Sequence, residues 1–183
     1  VVNTLMTISQ ISLGGGGHQT QEAFWEIEQR KRLDRLVRLN QLSGLPLSIE
    51  TLYQLHSSAP MIPEQIISED FRKNSFCWKM LAQAEERVGE DHRDFKLLEN
   101  YFLKEMPFLA DKTASSILAM VSGILEPFIS SDLLNRHFCG TSTLNLEDAF
   151  LGKIILLDIP IQTHKYAGKI AQSLYKYTFQ EAV

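Results

Sequence analysis

The chain has 183 residues, 44% of them hydrophobic and 22% charged, with a formal net charge of −4. That balance excludes wholesale disorder and allows one domain with a sizeable core, or a domain and part of another. The negative charge offers nucleic acid no global attraction, so any such binding would need a local basic patch.

Read in chain order, residues 1 to about 12 predict a short helix. They lack the cationic start and long apolar centre of a signal peptide, and no apolar run approaches the roughly 20 residues of a membrane span. Gly14 to Gly17 follow, four consecutive glycines that read as a flexible linker. From Thr20, a candidate N-cap, to about Ser43 the pattern is helical, with Trp25, Leu33, Leu36 and Val37 on one stripe and Gly44 and Pro46 as stops. A shorter helix is expected from Ser48 to about His56, burying Leu52 and Leu55, with Pro60 and Pro63 turning the chain.

Further helices are expected at about 64–73, 75–88, 91–105 and 111–126, with Pro107 and Pro127 as stops, then a small one at 131–138 and one turn at 146–150. The texture then changes. Lys153-Ile-Ile-Leu-Leu-Asp-Ile159 has a continuous apolar centre bounded by Gly152 and Pro160, the pattern of a strand buried on both faces of a sheet. A helix from Tyr166 to the end would carry Ala167, Ile170, Leu174 and Tyr177 on one side. A lone strand needs neighbours to satisfy its backbone, and strand, loop and helix in this order match one unit of a parallel α/β sheet. The expected organisation is therefore an N-terminal segment and linker over 1–18, a helical domain over 19–150 and a strand–helix stub over 151–183. The chain opens at Val1 instead of a methionine and closes at Val183 inside a helical pattern, which reads as an excised piece.

Residues that could carry chemistry are few. The glycines are followed by His18-Gln19-Thr20, not by the Gly-Lys-Ser/Thr of a Walker A loop. Asp158 ends an apolar run as a Walker B carboxylate would, but Ile159 and Pro160 stand where a catalytic glutamate would follow. His137 and Cys139 are close, yet two ligands do not make a zinc site. Cys77 and Cys139 are too far apart and too few for a disulfide scaffold, which favours a reducing, cytoplasmic setting. No catalytic residue, metal site or disulfide is assigned. The basic run Arg30-Lys31-Arg32, with Arg35 and Arg38, is the candidate binding surface for nucleic acid or a partner. Glu26–Arg30, Glu28–Arg32 and Asp34–Arg38 are spaced for i,i+4 pairing, so a solvated helix face is the plain alternative.

The order of segments carries a resemblance: Phe24-Trp25 opening a long helix, Ser48-Ile-Glu-Thr-Leu52 opening a second, Thr113-Ala-Ser-Ser-Ile117 within a third, then Gly152-Lys-Ile-Ile-Leu-Leu-Asp-Ile-Pro160 and a closing helix. From about residue 20 onward it resembles the type IV coupling proteins, ATPases of conjugative DNA transfer within the FtsK- and HerA-like P-loop group. The resemblance implies the all-alpha domain inserted between the Walker A and Walker B parts of a RecA-like motor, with 153–159 returning to an incomplete RecA-like core. It implies ATP and Mg²⁺ for the intact protein and no cofactor for this piece. It also implies a hexamer at the cytoplasmic face of the inner membrane, with relaxosome or secreted-substrate proteins, and DNA, as partners, and no membrane contact by this piece. The rival expectation is a free-standing helical interaction or regulatory module whose strand pairs across a dimer; an autonomous enzyme lacks a convergent catalytic set.

Overall fold

The computed structural model describes residues 1–13, 19–140 and 143–182, and the glycines read as a linker lie outside them. The described chain is mainly helical and forms two compact units, Val1–Gly17 with Glu126–Val183, and His18–Leu125. The sequence reading sets its breaks at 18/19 and 150/151. The observed grouping follows packing: α1 (Val2–Leu13), α9 (Asp132–Phe138) and a 3₁₀ turn (Leu146–Leu151) all lie against the last helix, α10 (Ile161–Ala182).

In the unit His18–Leu125, α2 (Gln19–Ser43) is the central element and packs against α3 (Ile49–Ser58), α6 (Phe76–Val88) and α7 (Arg93–Asn100). It starts one residue before the expected cap at Thr20. Leu33, Leu36 and Leu39 are fully buried. Gly44 ends the helix at φ +78, where a Cβ would collide with the Arg87 guanidinium, and Arg87 Nη1 donates to the carbonyl of Leu42 at 2.9 Å. A cation at the C-terminal end both bonds the orphan carbonyls and answers the helix dipole.

Serines set the other boundaries. Ser48 and Thr51 form a reciprocal capping box at the start of α3, with N–H to hydroxyl distances of 3.1 and 3.0 Å. The single helix expected over 64–73 is two, α4 (Pro63–Ile67) and α5 (Glu69–Asn74), because Ser68 turns extended and caps the second by accepting from the Phe71 N–H. Ser75 caps α6 and also donates to the Ser58 carbonyl at 2.8 Å, while Ser58 Oγ accepts from the Cys77 N–H at 2.9 Å. The end of α3 is thereby bonded to the beginning of α6.

The helix expected over 91–105 changes pitch. After α7 the chain makes a π-helical turn, Tyr101–Glu105, and a 3₁₀ turn, Met106–Phe108, which contains Pro107 and gives way to extended backbone at Leu109. Pro127 does not stop α8 (Asp111–Ser130), which continues three residues beyond it. Only the proline N–H is missing, and the carbonyl it would have met belongs to exposed Gly123. The helix serves one unit up to Leu125 and the other from Glu126. By length and composition α8 could cross a membrane. Its buried positions, Ala114, Ile117, Val121, Ile124, Leu125 and Phe128, instead follow the three- and four-residue spacing of a half-exposed helix.

In the other unit Leu5, Met6 and Ile8 of α1 and Ile170, Ala171 and Leu174 of α10 are buried. The strand expected over 153–159 is not formed, and no strand occurs among the described residues. Residues 153–160 lie outside any helix or ladder because no second strand is there to pair with them. Pro160 leads into α10, which begins at Ile161 instead of Tyr166 and contains a break at Lys165 (φ 47, ψ −121).

Candidate functional site

The five cations of the basic run separate in the fold. Arg30 is exposed. Lys31, Arg35 and Arg38 share a stripe of α2, spaced at i, i+4 and i+7 with Asp34 between them. Lys31 Nζ is hydrogen-bonded to Glu105 of the π-helical turn and lies 4.0 Å from Glu28. Burial works against its charge, but the hydrogen bond and charge of Glu105, with Glu28 and Tyr101 adding, together raise its pKa. Arg35 Nη1 lies 2.8 Å from Asp34, and Arg38 Nε 2.9 Å from the same carboxylate. The Asp34–Arg38 pair anticipated from spacing is therefore present. Lys31 and Arg35 also lie over the Tyr101 ring, at 5.6 and 6.0 Å from its centroid.

Arg32 does not belong to that surface. It is 1% exposed, and Glu28, its expected partner, turns to Lys31. Arg32 Nε donates to His56 Nδ1 at 3.4 Å and Nη2 to the His56 carbonyl at 3.3 Å, with the guanidinium 5.1 Å from the centre of Phe102. Its Nη1 and the Tyr101 hydroxyl are both buried without a hydrogen-bond partner. The signal was present in the sequence: Gln29, Arg32, Leu33, Leu36, Leu39, Asn40 and Ser43 are all buried and repeat at helical spacing, so Arg32 falls on the core face of α2.

Arginine only donates, so His56 Nδ1 must accept and Nε2 must carry the proton. Nε2 then has the Leu118 carbonyl at 3.2 Å and Ser122 Oγ at 3.1 Å as acceptors. A histidine beside a serine has the outline of a hydrolytic pair, but a triad orients its histidine with a carboxylate. Here a cation takes that place, and burial together with Arg32 lowers the His56 pKa to about 3. A base that weak does not activate a serine near neutral pH. Burial likewise pushes the Cys77 thiol up to about 12, which leaves it unreactive. The cluster is a structural polar core.

The second unassigned feature is the segment 153–159. Exposure alternates only in degree: Ile154, Leu156 and Asp158 are exposed, the first two at 96% and 89%, whereas Ile155 is half-buried and Leu157 41% exposed, both lining a groove with Leu146, Ala149, Gln172, Tyr175 and Phe179. Ile159 is buried, and its carbonyl accepts from Gln172 Nε2 at 2.6 Å. Period two means strand-like backbone laid on α10 with its other face open. Phe150 and Phe179 stack beside it at 5.6 Å, and Phe150 and Leu151 remain exposed.

His137 is exposed and Cys139 half-buried, its Sγ 3.8 Å from the Phe128 carbonyl. Among the described residues no group of three or more His, Cys, Asp or Glu side chains is placed to hold a metal ion. Compared with known proteins, the chain matches no family model, no curated protein and no solved structure.

Proposed function

We propose that the chain is the helical, substrate-engaging part of a conjugative DNA-transfer coupling ATPase of the type IV secretion class, not itself catalytic. One observation carries the reading: an apolar, strand-like segment with one face on a helix and the other face open. Ile154 and Leu156 in water, together with an unpaired backbone, are costly unless flanking strands and a covering layer exist. The remainder of a RecA-like motor would supply both, with ATP and Mg²⁺ bound there and the motor assembled as a hexamer at the cytoplasmic face of the membrane.

The rival, pairing across a dimer, fits less well. A two-fold axis between antiparallel copies runs normal to the two-stranded ribbon and preserves its faces. Both copies of α10 would then cover one face and leave Ile154 and Leu156 exposed on the other. A partner with its own covering layer is needed, which an α/β core has.

In this reading the unit His18–Leu125 meets the transferred DNA or its attached protein, with Lys31, Arg35 and Arg38 as its cationic contacts and Arg32 withdrawn from that role. Overproducing the chain in cells that carry a conjugative plasmid should sequester transfer substrates and lower transfer at least about tenfold. Unchanged transfer with the folded chain abundant, or tight Mg-ATP binding by the purified chain, would sink the proposal.

A further inference from the structure

The stripe that the preceding reading makes a contact surface is occupied by the chain's own carboxylates. Lys31 is bonded to Glu105, and Asp34 lies within 2.9 Å of both Arg35 and Arg38. Local i,i+4 pairs are common on any soluble helix. Glu105 is different, because it is 74 residues away in sequence and is presented by the π-helical turn, whose widened pitch redirects it from where a continuing α-helix would point. The same turn supplies the Tyr101 ring over which Lys31 and Arg35 lie. Two elements thus hold the cations down, and Lys31 and Arg35 are only 30% and 19% exposed as side chains.

We propose that Glu105 and Asp34 are built-in counterions that gate the Lys31–Arg35–Arg38 stripe, so that a nucleic-acid backbone binds there by displacing them. This rests on the proposed function only in its choice of DNA as the polyanion. The three cations span about 10 Å along the helix, a reach over which a duplex presents several phosphates. Each carboxylate is half-exposed, and ion pairs at such positions are weak and screened by salt. Several phosphates acting together can replace them where one anion cannot. Binding by the wild type should therefore be weak, and it should be limited by the carboxylates and not by a shortage of cations.

The test is anisotropy of a labelled duplex of about 25 base pairs across a salt series, with wild type, D34N/E105Q, and an E64Q/E85Q control that makes the same charge change at exposed sites elsewhere. The gate variant should bind about tenfold tighter at low salt, with a salt slope steeper by about two, since each added phosphate contact contributes about 0.9. The control should gain less than about twofold, and adding K31A and R35A to D34N/E105Q should abolish the gain. E105Q alone, the milder change, should give a smaller gain that K31A removes, and it stands in if the double variant does not fold. An equal gain in the control, or no gain in a folded gate variant, overturns the proposal. Neither result bears on plasmid-transfer interference, so failure of the gate and failure of the coupling reading remain distinguishable.

Discussion

The two units resolve opposite problems. The unit His18–Leu125 buries more than an apolar core strictly wants, taking in Arg32, His56 and Asn40, while the unit containing 126–183 leaves outside what a core would want, namely Ile154, Leu156 and Leu151. In the first, Arg32 and His56 are tolerated because they bond each other and backbone carbonyls of α3 and α8; Arg32 Nη1, the Tyr101 hydroxyl and both polar side-chain atoms of Asn40 mark where that supply ends. In the second, backbone and apolar side chains together lack partners. The lesson is that the helical unit closes a core around α2 even with polar groups inside it, whereas the strand-like segment is a half-made layer.

The largest way to sharpen that contrast is Phe102→Ala. Phe102 is fully buried under Arg32, and its loss should cost about 3–5 kcal/mol in denaturant unfolding of that unit. A cost under about 1 kcal/mol would mean the core there is not closed.

Acid provides the next test. His56 has a folded pKa of about 3, below its ordinary 6.5, so above pH 6.5 it is neutral folded or unfolded and its contribution is whole. Between pH 6.5 and about 3 the unfolded chain takes up a proton that the folded one refuses, and stability should fall by up to about 1.4 kcal/mol per pH unit from this group. His56→Gln should flatten that part of the stability–pH curve; an unchanged slope would remove His56 as its source.

Lys165 occupies backbone space that L-residues avoid, and Lys165→Gly should stabilise its unit by about 1 kcal/mol, a relief of strain partly offset by glycine's extra unfolded-state entropy. Smallest of all, Ile154→Lys with Leu156→Lys should change stability by less than about 0.5 kcal/mol, since neither side chain has a layer above it. The pair should also reduce self-association in light scattering. A cost like that of Phe102→Ala would show that the open face is in fact covered, and would break the comparison.

Much of the helical unit was legible because periodicity and punctuation agree there. The Leu33–Leu36 stripe, the buried Leu52 and Leu55, the Ser48 start and the Gly44 stop are all local signals. The break at Ser68 is not legible in the sequence, because a serine within a helical run can either continue the helix or cap the next one, as its hydroxyl does here. The run through Pro127 reflects packing on both sides of the proline, which no local rule contains. The strand pattern at 153–159 is legible as a continuous apolar run between Gly152 and Pro160, but a ladder also needs a second strand. Of the candidate site, the Asp34–Arg38 pair followed from spacing, whereas Glu105 meets Lys31 only through the path of the chain after α7. Arg32 belongs to the core face by its helical position, which outweighs the charge that places it in a basic run.

The two cysteines turn the contrast between the units into a clock. Cys77 is fully buried with a thiol held far from ionisation, and Cys139 is half-buried in the other unit. A thiol-reactive dye should mark Cys139 first, and Cys77 at the pace at which α2, α3 and α6 open to solvent. Mass spectrometry of the labelled peptides against time would therefore read the opening of each unit separately, with the chain supplying its own probes.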